Sequence, residues 1–166
     1  MAGRGDLGSD EIWVDEDMSP VIRLPSWREV LEGPWALRLR SGSTGPWLMR
    51  GEARDDQLDV RFVSGRAAPT TSEALAELET AFELEVPLGG FDDLADAVRT
   101  DRPLVLLVLD TDRLLADDPS QLSALVGGLR STADRVDLHV IFQARDLPPD
   151  AEAVLSEFGV AEIAHA

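Results

Sequence analysis

The sequence predicts an α/β fold, and three observations carry that prediction. Leu104-Val105-Leu106-Leu107-Val108-Leu109 is an unbroken apolar run between Asp101-Arg102-Pro103 and Asp110-Thr111-Asp112. It is too short for a helix of its own and reads as a strand covered on both faces. Val136 to Phe142 alternates apolar and polar residues and reads as a second strand. The segments between and before these strands space their apolar residues for helices, so the two kinds of element alternate along the chain.

Taken in order, residues 1–20 are rich in Gly, Asp and Glu and are expected to form a mobile acidic arm with one apolar anchor, Ile12-Trp13-Val14. Residues 21–58 form a β-rich, Trp-containing extension. All four Trp fall within the first 47 residues, and packing is their expected role. Ser26 to Leu31 predicts one or two helical turns, with Ser26 as N-cap and Glu29 at the capping-box position. Gly33-Pro34 ends it. Trp35 to Arg40 alternates as a strand, Ser41 to Pro46 is a turn, and Trp47 to Arg50 is a second strand. Leu58 to Val63 is a third, closed by Ser64-Gly65.

A helix is predicted from about Glu73 to Phe82, capped by Thr70, Thr71 or Ser72, with Ala74, Leu75, Leu78, Ala81 and Phe82 on its inner face. Glu83 to Gly90 is a connection. A short helix opened by Gly89-Gly90 then runs to near Thr100, with Phe91, Leu94 and Val98 as one apolar stripe. Pro119-Ser120 starts another helix, whose inner face is Leu122, Leu125, Val126 and Leu129. Gly127-Gly128 weakens it or lets a backbone approach closely. His139 lies on the polar phase of its strand, exposed or satisfied. Asp150 to Phe158 predicts a terminal helix capped by Gly159, and Val160 to Ile163 a short edge strand.

Composition narrows the function. There is no Cys, hence no disulfide and no thiolate metal site. No secretory h-region opens the chain, and no apolar run is long enough for a membrane span. The formal net charge is −17, which repels nucleic acid and anionic membranes alike. The chain has no Lys; Arg and two His are its only basic residues. Residues 65–143 are the most acidic part, with 6 Arg against 15 acidic residues.

Within that part, Asp92 and Asp96 lie one turn apart on the short helix and share a face. The helix N-terminus offsets their mutual repulsion. The result is a rigid acidic edge suited to a partner carrying Arg, Lys or His. Asp110 and Asp112, at the end of the apolar strand, offer two oxygen ligands and raise a competing reading as a Mg²⁺-dependent hydrolase. No Gly-Thr-like turn follows them, and no Lys is present to clamp a phosphate. A third reading is a scaffold module whose Trp-rich N-terminal half recognises a protein. The P-loop, nucleophile-elbow and H-E-x-x-H signatures do not occur.

From Val60 to Gln143 the chain resembles the barstar family of ribonuclease inhibitors. The resemblance begins at Val60-Arg61-Phe62-Val63-Ser64-Gly65-Arg66 and continues through Ser72-Glu73-Ala74-Leu75. It is most specific at Gly89-Gly90-Phe91-Asp92-Asp93-Leu94-Ala95-Asp96-Ala97-Val98. It implies a small three-stranded parallel sheet flanked by helices over residues 59–144, with 145–166 as a C-terminal helical extension. It also implies a cytoplasmic, non-enzymatic, monomeric protein of the immunity type, without cofactor or metal. The partner would be a basic secreted-type microbial ribonuclease, its active site plugged by the acidic helix. Asp96 would be the central anchor and Asp92 its neighbour, with Asp93, Leu88 and Phe91 at the periphery. The family's loop aromatics are missing from Glu85-Val86-Pro87-Leu88-Gly89-Gly90, and its Asn slot is not filled.

Overall fold

The computed structural model describes residues 27–40 and 59–162. The acidic arm, the Ser26 cap, the turn at 41–46, the strand expected at Trp47–Arg50 and His165 lie outside them. The elements are α1 (Trp27–Glu32), β1 (Ala36–Leu39), β2 (Asp59–Ser64), α2 (Thr71–Ala81), α3 (Leu94–Ala97), β3 (Leu104–Leu109), α4 (Leu122–Ala133), β4 (Leu138–Gln143), α5 (Pro149–Glu157) and β5 (Ala161–Glu162).

Among the described residues, five strands join one parallel sheet in the order β2-β3-β4-β1-β5. The α/β class holds, but the sheet is wider than the three strands expected. β2, β3 and β4 are neighbours in chain order, as a compact 59–144 unit requires. β4 would then be an edge with unpaired N–H and C=O groups. β1 covers that edge with the register Ala36↔Val140, and β5 pairs on its far side. Residues 36–39 and 161–162 are therefore not appendages but part of the sheet.

Helices cover both faces of this sheet. Leu104, Leu106 and Val108 point to the larger core, with Leu78 of α2, Leu94 of α3, Leu125 and Leu129 of α4 and Leu155 of α5. Val105 and Leu107 point the other way, to a smaller core with Leu39, Ile141 and Val30 of α1. Coverage on both sides is why β3 is continuously apolar rather than alternating. His139, expected to be exposed or satisfied, is buried and partnered rather than exposed. Its strand is internal, every residue of β4 is buried, and the imidazole is held by Asp137, Nε2 to Oδ1 at 2.8 Å.

α2 begins at Thr71, two residues before the expected start. The Thr70 hydroxyl caps it by accepting from the Glu73 N–H. The acidic segment is shorter than expected: a 3₁₀ turn at Phe91–Asp93 followed by the four residues of α3. Val98 is already extended, which ends the helix before Thr100. The predicted stripe of Phe91, Leu94 and Val98 is buried, as is the predicted inner face of α4.

Two contacts fix how the pieces dock. A Cβ on Gly128 would stand 2.2 Å from the Phe91 carbonyl oxygen, so the backbone of the acidic segment rests directly on α4. Arg61 clamps β2 to the end of α2: it donates to both Asp59 oxygens at 3.0 Å and to the Ala81 carbonyl at 2.9 Å. The Arg61 hydrogen bonds hold the Asp59 carboxyl below the usual carboxylate range, against the opposing effect of burial.

Two stability predictions follow from these contacts. Gly128→Ala destabilises by about 1–3 kcal/mol through overpacking. Gly127→Ala, whose Cβ would meet only Phe158 at 3.4 Å, is neutral or stabilises by up to ~1 kcal/mol through helix propensity. Urea denaturation of both variants checks the contrast. Asp59→Asn costs about 1–2 kcal/mol near neutral pH. Because the folded-state pKa of Asp59 is lowered, its contribution is complete above the unfolded value of about 3.9 and fades as pH falls through the folded one. The variant's stability thus falls less steeply on the acid side, measurable as denaturant midpoints against pH.

Candidate partner-binding site

The acidic segment is positioned by residues on either side of it. Glu79 of α2 accepts the Leu88 N–H at 2.8 Å and fixes the incoming loop. The Asp93 carboxylate turns back to accept the Gly89 N–H at 2.9 Å. Asp93 N–H donates to the Gly90 carbonyl, and Val98 N–H to that of Leu94. With the Phe91 carbonyl against Gly128, the chain from 88 to 98 has its backbone set before any partner arrives.

The three carboxylates of the segment are all exposed but differ in what they do. Asp93 is engaged by Gly89. Asp96 forms an ion pair with Arg135, just beyond α4, whose guanidinium also reaches the Ala95 carbonyl at 3.5 Å. Asp92 makes no hydrogen bond or ion pair with any described residue. The structure corrects two members of the expected contact set. Leu88 and Phe91 are buried in the core at 8% and 3% exposure, so they position the segment rather than touch a partner.

One exposed apolar residue was not singled out in the sequence. Val86 is 71% exposed, the most exposed large apolar side chain among the described residues, in the loop just before the acidic segment. Its signal was position alone: an apolar residue beside Pro87 in a connection without periodicity. Val86 borders a depression of about 320 Å³ shared with Ala97 and Arg99. On the other side, Asp92 borders a groove of about 710 Å³ walled by Leu75, Ala124 and Phe158. The surface is thus an acidic ridge between two hollows.

The competing aspartates each lie beside an arginine. Asp110 has a left-handed backbone (φ 50°). Its carboxylate meets Arg66 at 3.1 Å, and its N–H donates to Gln143 Oε1 at 2.9 Å. Asp112 lies 3.7 Å from Arg113. Among the described residues no group of three or more His, Asp or Glu is placed to hold a metal ion. Of the Trp-rich half, Trp35 is a packing residue: its Nε1–H donates to the Phe158 carbonyl at 2.9 Å, and Arg130 lies 5.8 Å from its ring centre. No helix among the described residues is long and apolar enough to cross a membrane.

No protein-family model matches the chain, and no curated protein matches it. Solved structures do. A chain of Drosophila ORC bound to AT-rich DNA and Cdc6 matches at TM-score 0.52 and 16% identity, over 82% of this chain and 50% of that one. A chain of Drosophila ORC bound to DNA matches at TM-score 0.57 and 14% identity, over 82% of each. This chain therefore spans only half the length of the first. At such identities the likeness shows a shared α/β fold with a parallel sheet flanked by helices, and nothing about activity.

Millimolar Mg²⁺ is expected to leave the thermal midpoint unchanged in the native protein and in Asp110→Asn alike. A saturable ligand at 100 times its Kd would add about 2.7 kcal/mol and be visible. A Mg²⁺-dependent rise that Asp110→Asn removes would revive the hydrolase reading.

Proposed function

We propose that the protein is a barstar-like inhibitor: it acts without chemistry, occluding the basic active site of a microbial ribonuclease with the acidic segment and the loop before it. The observation that carries this reading is Asp92, exposed and without a partner among the described residues, on a backbone locked against α4, with exposed Asp96 one turn further on. A carboxylate fixed in this way loses little conformational entropy on binding, and a cationic site supplies the hydrogen bonds it lacks. The contiguous parallel strands β2-β3-β4, with the acidic segment between β2 and β3, support the reading, because the family resemblance implies that unit. β1 and β5 would then be additions to its open edge. Val86 would supply the apolar contact that loop aromatics supply in the family.

The net charge points the same way: it favours encounter with a cationic protein and opposes contact with nucleic acid. The DNA in the titles of the ORC structures is accordingly not carried over to this chain. On this reading the inhibitor is a cytoplasmic monomer that needs no cofactor.

Calorimetric titration with a guanyl-preferring microbial ribonuclease tests the proposal. The expected result is tight 1:1 binding with loss of ribonuclease activity. Asp92→Ala and Asp96→Ala are each expected to weaken it ~100-fold, about 2.7 kcal/mol. Val86→Asp weakens it less, and Asp112→Ala leaves it unchanged. Absence of binding and inhibition across several such enzymes would overturn the reading.

A further inference from the structure

The Asp96 carboxylate that a cationic partner would engage is already engaged from within the chain. Arg135 lies 39 residues further on and reaches across from the end of α4 to pair with Asp96. The two side chains are 75% and 58% exposed. The contact is neither buried nor enclosed, and an exposed pair of this kind holds weakly. Asp134, the neighbour of Arg135, pairs with Arg130 instead, and Asp137, two residues on, pairs with His139. Asp92, one turn away from Asp96, has no such cation among the described residues.

We infer that Arg135 is an internal competitor for the partner's site: it occupies Asp96 in the free protein and must be displaced when a cationic partner docks. Asp92 is then the carboxylate that makes first contact, and Asp96 exchanges Arg135 for a group of the partner. This selects partners able to outbid a guanidinium at Asp96. One well-placed Arg, with its paired donors, meets that condition better than a Lys, which offers a compact point charge. The inference rests on the proposed binding role of the acidic segment and adds a specificity element to it.

The test compares native protein, Arg135→Ala, Arg135→Gln, Asp96→Ala and the double variant Arg135→Ala/Asp96→Ala. Arg135→Gln removes the charge but keeps an amide able to donate to the Ala95 carbonyl. Thermal melts first establish that each variant is folded. With a ribonuclease that binds, Arg135→Ala and Arg135→Gln are both expected to tighten Kd about 3- to 10-fold, and the gain vanishes in the Asp96→Ala background. Unchanged or weaker binding in both folded single variants would overturn the inference while leaving the inhibitor reading intact. A hexa-arginine peptide, titrated by two-dimensional NMR, carries the same comparison without a ribonuclease. Larger saturable shifts at residues 95–97 in Arg135→Gln than in the native protein support the inference even if every ribonuclease fails. Equal shifts in the two overturn it.

Discussion

The carbonyl of Phe91 stands where residue 128 would carry a side chain, and the rest of the binding surface depends on that approach. A four-residue helix has no stability of its own, because nucleation costs more than so few hydrogen bonds return. α3 is held by contact. Phe91, Leu94 and Val98 turn inward, and their backbone lies against α4 at Gly128. α4 in turn is anchored by Leu125, Val126 and Leu129 in the larger core. With the apolar stripe buried, Asp92 and Asp96 face outward. The orientation of the carboxylates is thus a consequence of a glycine on another helix.

The sheet around this unit is wider than the unit needs, and the widening has a physical signature. Once β1 covers β4, that strand is interior to the sheet, and two polar side chains of the pair are buried. His139 is buried, with Nδ1 left unpartnered. Arg38 on β1 is buried too, bound to Glu152 through Nη1 at 2.7 Å while its Nε and Nη2 have no partner. Unsatisfied buried polar atoms oppose folding. They are offset here by ladder hydrogen bonds on a former edge and by burial of Leu39 and Ile141. Trp35 and Phe158 tie β1 to α5, so the additions before and after the central unit support each other.

Much of this was legible in the sequence, for identifiable reasons. Periodicity revealed the inner faces of α2 and α4. Breakers around Leu104–Leu109 marked β3, and the spacing of Phe91, Leu94 and Val98 showed which side of the acidic segment turns inward. What stayed hidden lacks a local signal. Parallel pairing of Ala36 with Val140 joins residues more than a hundred positions apart, and no alternation encodes a neighbour at that distance. His139 lies on the polar phase, which normally faces water; it is buried because this sheet is covered on both faces. In the connection 83–90 there is no period at all, so nothing distinguished buried Leu88 from exposed Val86. The pairing of Arg135 with Asp96 is likewise a product of the fold.

The three aspartates of the segment form a graded set, and the grading bears on recognition. Asp93 stabilises the turn that opens the segment, and a partner that claimed it would loosen that turn. Asp96 is shared with an exposed guanidinium, and exchanging it costs little. Asp92 is exposed and unpaired among the described residues, so covering it without supplying a cation leaves a buried charge uncompensated, a penalty of several kcal/mol. A neutral surface of the right shape is therefore rejected at Asp92 before Asp96 is reached. On the proposed reading, a cationic one is accepted at Asp92 and must still displace Arg135. Discrimination of this kind comes from what the wrong partner fails to satisfy. It requires a backbone that cannot carry the carboxylates away from the penalty, and the contact at Gly128 is what holds it.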